Sequence, residues 1–538
     1  MTAEAPSSFE LLQGLLQPQP ARPSRLQRLL PSSGTLPQLN EPTRAGHRVL
    51  LPWLTGLRSL AQVIFINNPL SGAVLLLAFL LESPWLALLA VVGTAGANLS
   101  SRVFGLARSL RHQGIHGFNG ALVGCAAAVF GPAASPALLL VLVLLGSAVT
   151  TLMVEAWTRC CRGRGALPPL TLPFCLVSWL LLAITAALPL GPAAAAPLPH
   201  AEPLVGTLQA LLLGLPHSFG QVFLCSRLSS GLLVLLAVAL ASPLAAALGL
   251  VGAFWAMVAA LLQGAPSAAV AQGLWGYNGV LVAIALGGIF HAPSRRSLLL
   301  ASGGAALTAP VSSALAAVLP GLPALTIDFV LTTWLLKLLA GRTLPALLPV
   351  SVHAVLTPEE HRARYRVARH TLSSFRINLR RRSTASAAEP AAPCSPVQQQ
   401  QIAQLFAQLD RDGNGRLSLA ELRQALTTAG PGLAATALPQ LAAVLAALDL
   451  DGDGQLDQLE FTQLMLRLQR LRDGEQRLLL YLMPADADGD DRLDADELRR
   501  ILRSINAQPL SLDEEQLVFG SEGAPLSWRG FVDRLLLT

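Results

Sequence analysis

Oxygen-bearing side chains recur at fixed spacing toward the C-terminus. Asp410, Asp412, Asn414, Arg416 and Glu421 take the first, third, fifth, seventh and twelfth places of one loop, with Gly415 sixth. Asp449, Asp451, Asp453, Gln455 and Glu460 repeat the pattern with Gly454 sixth. Asp486, Asp488, Asp490, Arg492 and Glu497 form a third copy, in which Asp491 stands where the sharp turn wants Gly. A series of this kind wraps carboxylates, amides and the seventh residue's carbonyl, here from Arg416, Gln455 and Arg492, around a single centre. Calcium is the expected ion, since it takes roughly six to eight oxygens at one site. The third loop is expected to bind more weakly, because Asp tolerates a left-handed turn less well than Gly.

This is the EF-hand template, and the loop starts at 410, 449 and 486 lie 39 and 37 residues apart. That rhythm calls for a fourth hand near 511–538. The chain there reads Phe519-Gly520-Ser521-Glu522-Gly523 without a ligand series, so a degenerate structural partner is expected. Upstream, segment 360–382 carries Arg362, Arg366, Arg369, Arg376 and Arg380 interleaved with Tyr365, Leu372, Phe375 and Leu379. It reads as a basic amphipathic helix suited to anionic lipid or to an intramolecular contact with the hands. Ordinary positive charge beside a membrane span is the plainer alternative. Residues 383–401 read as a flexible linker.

A second set of polar residues lies in apolar surroundings and is paired by an internal repeat. Gln62 returns as Gln221, Ser71-Gly72 as Ser230-Gly231, Ser83-Pro84 as Ser242-Pro243, and Gly117-Phe118-Asn119-Gly120 as Gly276-Tyr277-Asn278-Gly279, all offset by 159. Leu167 to Phe174 returns as Leu322 to Phe329 at an offset of 155, which pairs Thr171 with Thr326. Half the chain is hydrophobic and only 13% is charged, and those charges avoid the stretch between Arg48 and Thr343. The formal net charge of +6 averages two unlike parts and signals no nucleic-acid partner. Six cysteines show no disulfide spacing, and residues 1–47 read as a disordered tail without a signal peptide.

The expected organisation is a tail (1–47), a membrane domain (48–350, halves about 48–190 and 205–350), a basic segment and linker (351–400), and a calcium-binding domain (401–538). Apolar segments at 58–80, 84–100, 115–133, 136–156 and 171–190 are matched by 217–240, 243–262, 276–290, 298–319 and 326–348. Several fall short of the roughly 20 residues that cross a bilayer, which suggests broken or re-entrant pieces. An odd number of spans per half makes the second half enter from the opposite face, as an inverted repeat. Loop charges agree. Arg44 and Arg48, Arg102 to Arg111, Arg159 to Arg164, Arg295 and Arg296, and Arg342 lie on one side, while loops 191–216, 263–275 and 320–325 lack Lys and Arg. Both termini and the calcium-binding domain are therefore expected in the cytoplasm, with the body in a plasma or cell inner membrane.

Asn67-Asn68-Pro69-Leu70-Ser71-Gly72, the duplicated Gly-aromatic-Asn-Gly-x-Leu-Val and the duplicated Leu-Pro-x-x-Thr-x-x-Phe resemble the urea transporter (urea channel) family over roughly residues 48–348. The resemblance implies an all-α, polytopic, ten-span inverted repeat, here followed by the EF-hand domain. It also implies a homotrimer in the lipid bilayer and passive, non-enzymatic permeation of urea or a close small amide. By the same resemblance Thr171 and Thr326 face each other near the midplane, and Gln62 and Gln221 stand at the two mouths. Phe65, Phe118, Leu122, Leu224, Tyr277 and Leu281 form slot walls. Urea suits such a path, since uncharged oxygens can replace its lost hydration without attracting ions. For each residue a structural role, as a bonded membrane Thr, a bridging Gln or a core Phe, is the competing expectation.

Three positions depart from the pattern. Asp328 stands where the first half has Pro173, Tyr277 adds a hydroxyl, and Leu224 stands opposite Phe65. A buried Asp328 keeps in view a proton-coupled transporter of another small neutral solute; a further class makes the membrane part the anchor of a calcium sensor.

Overall fold

The computed structural model describes residues 33–36, 47–106, 108–131, 135–161, 167–187, 206–343, 356–383, 396–418, 420–421, 454–462, 465, 492–504, 510–520, 523–527 and 531. The chain forms two compact units, one built from Pro23–Tyr365 and one from Arg366–Asp486 with Asp490–Thr538.

Many helices of the first unit begin where the sequence puts Pro or a capping polar residue. They are α1 (His47–Gln62), α2 (Pro69–Glu82), α3 (Pro84–Val103), α4 (Arg108–His112), α5 (Phe118–Phe130), α6 (Pro136–Cys160) and α7 (Leu172–Ala187). The second half gives α8 (Thr207–Gln221), α9 (Leu228–Ala241), α10 (Pro243–Leu262), α11 (Ser267–Ala271), α12 (Tyr277–Ile284) with a π-turn at Ala285–Ile289, α13 (Arg295–Val318) and α14 (Ile327–Thr343). Pro suits the first helical position because its missing N–H would be unsatisfied there anyway. It opens α2, α3, α6 and α10. The starts of α2 to α6 and of α9 to α13 keep the 159-residue offset, so the repeat extends from letters to helix boundaries.

Among the described residues, four helices are long and apolar enough to cross a membrane: Pro84–Val103, Pro136–Cys160, Pro243–Leu262 and Arg295–Val318. Five apolar helices are shorter. The expected segment 58–80 is divided: α1 ends at Gln62 and α2 starts at Pro69. Its second-half counterpart divides in the same way between Gln221 and Leu228. The cause is local, because Phe65 (φ 62°) and Leu224 (φ 60°) take the left-handed conformation and end the helical run.

Close packing in this unit depends on small residues. A Cβ on Gly93 of α3 would lie 2.0 Å from the carbonyl oxygen of Gly120 in α5, and one on Gly252 of α10 would lie 2.2 Å from that of Gly279 in α12. Backbones can approach this closely only without side chains, the usual means of joining apolar helices. Serines join α2 and α9 reciprocally: Ser71 Oγ donates to Ala237 O at 2.7 Å and Ser230 Oγ to Ala78 O at 3.2 Å. Residues 33–36, inside the stretch expected as a tail, are hydrogen-bonded into the same unit. Gly34 N donates to Ala241 O at 2.9 Å, and fully buried Arg58 donates to Thr35 O and Leu36 O at 2.8 and 3.1 Å.

Helix α15 (Pro358–Ser383) covers the basic segment. Its first turn is bound within the first unit. Glu359 accepts from Ser242 Oγ and Leu244 N at 2.5 and 2.7 Å, capping α10, and His361 Nδ1 lies 2.9 Å from Gly288 O. In the second unit Leu372, Phe375 and Leu379 of α15 are buried, and Phe375 meets Phe531 edge-on at 5.8 Å. Helix α16 (Pro396–Leu409) starts inside the stretch read as linker, where Pro and a run of Gln favour a helix. Strand β1 (Arg416–Ser418) pairs with β2 (Gln455–Asp457), placing Leu417 opposite Leu456. Strand β3 (Arg492–Leu493) pairs with β4 (Leu526–Ser527), so the region expected as a degenerate fourth hand pairs with the third. Two more helices, α17 (Ala495–Ser504) and α18 (Leu512–Phe519), flank that pair.

Gly93→Ala should lower stability by about 1–3 kcal/mol through overpacking, read as a fall in thermal midpoint in detergent. Gly56→Ala, with nothing within 4 Å of the added carbon, should leave the midpoint unchanged or slightly raised. Burial pushes the Glu514 carboxyl up, but the hydrogen bonds from Arg376 and Ser511 N outweigh it and hold it below the usual carboxylate range. A depressed folded value stabilises above the unfolded value near ~4.3 and is lost as pH falls through the folded one. Protection of the α15 amides, corrected for the intrinsic pH dependence of exchange, should therefore fall on acidification, and in Glu514→Gln it should already be lower at neutral pH.

Candidate functional site: paired polar residues of the apolar unit and the carboxylate loops

The first unit converges on the two segments that precede α7 and α14. Thr326 Oγ1 donates to Thr171 Oγ1 at 2.6 Å, and both residues are 3% exposed. The residue before each is a left-handed leucine, Leu170 at φ 49° and Leu325 at φ 50°. A bulky residue in that region is strained and persists only where its surroundings over-determine it. The surroundings are reciprocal tryptophans: Trp179 Nε1 donates to Pro323 O at 2.9 Å, and Trp334 Nε1 to Pro168 O at 2.8 Å. Each half thus holds the turn that carries the other half's threonine. Cys175 Sγ lies 3.5 Å from Thr326 Oγ1.

The glutamines are fixed in the same way in both halves. Gln62 Nε2 donates to Gln113 O at 3.0 Å and Gln221 Nε2 to Gln272 O at 3.2 Å. Tying the amide nitrogen to the backbone leaves Oε1 as the side chain's acceptor. Phe65 is half-buried and meets Phe290 and Phe329 edge-on, at centroid distances of 6.2 and 5.9 Å. Lys337 Nζ sits 5.5 Å over the Phe290 ring. Phe118 and Tyr277 open α5 and α12 and are half-buried, as is Leu224. Leu122 and Leu281 are enclosed, at 1% and 0% exposure.

Two further pairs matter: Asn119 and Asn278, which had only marked the repeat, and a tryptophan pair that the sequence reading did not single out. Asn119 Nδ2 donates to Leu170 O at 3.2 Å and its Oδ1 accepts from Phe174 N at 3.3 Å. Asn278 Nδ2 donates instead to Asp328 Oδ2 at 3.0 Å, while the Tyr277 hydroxyl donates to Leu325 O. Trp179 and Trp334 form the other pair. Their signal was present in the 155-residue offset, since 179 and 334 are related by it.

In the second unit the described ligands of the first loop converge. Oxygens of Asp410, Asp412 and Glu421 lie within 4.8 Å of one another. Asp410 accepts from Asn414 N and Gly415 N at 3.1 and 2.8 Å, and Glu421 from Ser418 N and Arg411 N at 2.9 and 3.1 Å. Asn414 Oδ1 accepts from Arg416 N at 2.7 Å. Gly413, Gly415 and Gly454 take positive φ. An all-oxygen set drawn from both ends of one loop fits a hard divalent cation. Gln455 lies on β2 and Glu460 is 4% exposed, while Arg492 lies on β3 and Glu497 is 2% exposed. Asp449, Asp451, Asp453, Asp486, Asp488 and Asp490 lie outside the described residues.

Comparison with known proteins follows the same division. The urea transporter family model matches residues 54–341, and an EF-hand domain pair matches residues 399–466. The chain is similar to urea transporter 1 of Ovis aries, 31% identical over 317 residues that span 57% of this chain and 82% of the relative. Its similarity to urea transporter 1 of Rattus norvegicus is 30% over 325 residues, 59% of this chain and 83% of the relative.

Glu421→Gln removes one carboxylate of the first loop. Calorimetric titration with calcium should show that site weakened roughly tenfold or more, equal to at least about 1.4 kcal/mol. The heat assigned to the second loop should persist.

Proposed function

Because the chain belongs to the urea transporter family, whose members are channels and not enzymes, we propose that it passes urea, or a close small amide, down its gradient through an uncharged path, and that calcium at the C-terminal hands modulates it. The Thr171–Thr326 pair carries this reading. Urea is planar and neutral, with one acceptor and donors on both nitrogens. A path that strips its water must return acceptor oxygens without fixed charge. The threonine hydroxyls keep lone pairs after bonding to each other, and each glutamine turns its Oε1 away from its backbone anchor. Phe65, Phe118, Leu122, Leu224, Tyr277 and Leu281 are the apolar walls of the reading, narrowing the path so that hydrated ions are refused. Charge is scarce near these residues: Asp328 is two places from Thr326, Lys337 lies over the Phe290 ring that meets Phe65, and buried Arg58 is tied to Thr35, Leu36 and Asn67.

The ten-span inverted repeat belongs to the same proposal. Support comes from the duplicated helix boundaries and from donors exchanged between halves, Ser71 with Ser230 and Trp179 with Trp334. An arrangement related by an axis in the membrane plane presents one mouth glutamine to each side. The loop arginines support a reading with both termini and the hands in the cytoplasm and the body in a plasma or cell inner membrane. A homotrimer, one path per protomer, completes the reading by family likeness. The modulation proposal draws support from α15, whose first turn is bonded in the apolar unit and whose later apolar face is buried in the unit that holds the carboxylate loops.

Thr171→Val and Thr326→Val each remove an acceptor from the path, a cost of about 1–3 kcal/mol. Stopped-flow light scattering on proteoliposomes should show urea entry reduced about fivefold to a hundredfold in each variant. Urea entry by the parent protein should not require a pH gradient, and should differ between calcium and chelator. Dependence on an imposed proton gradient would instead assign Asp328 a proton-carrying role, and equal rates with and without calcium would remove the modulation.

A further inference from the structure

The two halves fix the same strained turn with different chemistry. In the first, Leu170 O accepts from Asn119 Nδ2 at 3.2 Å, the same amide accepts from Phe174 N at 3.3 Å, and Phe118 and Pro173 add no polar atom. In the second, Leu325 O accepts from the Tyr277 hydroxyl, and Asn278 donates to Asp328 at 3.0 Å. The three changes belong together. A hydroxyl on Tyr277 occupies the carbonyl that the asparagine would take, and the displaced amide needs a new acceptor, which Asp328 supplies. Asn278 and Asp328 are 4% and 1% exposed, and Asn278 Oδ1 and Asp328 Oδ1 have no hydrogen-bond partner. The Asp328 carboxyl lies close enough to Tyr277 and Cys175 to act on them through its charge, and Ser312 of α13 offers it a hydrogen bond. The second-half side therefore leaves two acceptor oxygens unpaired, on Asn278 and Asp328, whereas the Asn119 amide of the first half is bonded through both its oxygen and its nitrogen.

A phenol has one O–H to give, and Tyr277 has given it to Leu325 O. Its oxygen can then only accept. Tyr277 and Phe118 hold repeat-related, half-buried positions at the starts of α12 and α5, and Leu325 is bonded directly to Thr326. On the pathway reading above, on which this rests, we propose that Tyr277 is a specificity-determining residue. Its hydroxyl oxygen is a third acceptor beside Thr171 and Thr326, on one wall alone, and it selects solutes that carry N–H donors on both ends over amides that carry a methyl group on one. Asn278 and Asp328 are positioning residues, which hold the hydroxyl in its donating direction by keeping the amide off Leu325 O.

Proteoliposome permeability to urea and to acetamide, taken as a ratio, tests this. Tyr277→Phe should lower the urea-to-acetamide ratio roughly threefold to tenfold, the span of one net hydrogen bond. The double variant Tyr277→Phe with Asp328→Pro restores the first-half pattern, and it should show the same lowered ratio with a thermal midpoint no worse than the single variant's. Phe118→Tyr, which adds an acceptor to the opposite wall, should raise the ratio, a direction that misfolding does not imitate. A ratio unchanged in Tyr277→Phe and in Phe118→Tyr, with urea entry retained, overturns the assignment and leaves the pathway standing. A parent protein that passes neither solute removes the pathway and this role together.

Discussion

A chain that breaks its helices inside an apolar body exposes carbonyl and N–H groups where no water can serve them, and each such group costs several kcal/mol if left alone. That constraint organises the first unit. Breaks fall at Phe65 and Leu224 and again at Leu170 and Leu325, all in left-handed conformation without being glycine. Around each later break the freed groups are met by side chains: Asn119 and Trp334 at the first, Tyr277 and Trp179 at the second. The threonines sit where they do because the turns beneath them are held from both sides. A polar centre in an apolar unit is thus first a product of backbone hydrogen bonding.

Glycines set the remaining distances. The Gly93–Gly120 and Gly252–Gly279 contacts bring α3 onto α5 and α10 onto α12 with backbone against backbone. The helices that begin with Phe118 and Tyr277 are therefore fixed in position by residues that contribute no side chain. Side chains at their first turns inherit that placement.

Much of this was legible in the sequence, for identifiable reasons. The 159-residue offset survives because Pro and Ser at helix starts, and Gly at close crossings, are hard to replace. The carboxylate loops are legible because a cation demands its ligands at set places. Other features left little trace. The break at residues 63–68 was half legible: Asn67-Asn68-Pro69 marks the start of α2, but the end of α1 falls in the apolar run Val63-Ile64-Phe65-Ile66, where the left-handed turn at Phe65, like that at Leu224, is not specified by residue type. The bonding of residues 33–36 was illegible because the donors that receive their carbonyls, Arg58 and Asn68, are distant in sequence. Asn119 and Asn278 looked like equal markers of a repeat. Their different partners emerge only once Tyr277 and Asp328 are seen to bear on the same turn.

The exchanged tryptophans bear on how such a chain is made. Pro168 is synthesised 166 residues before Trp334, the donor its carbonyl receives, and Trp179 precedes Pro323 by 144. A ribosome therefore delivers the earlier half with an acceptor and a donor both awaiting counterparts not yet translated. Neither of these two bonds can form until the turn at Pro323 and helix α14 have been made.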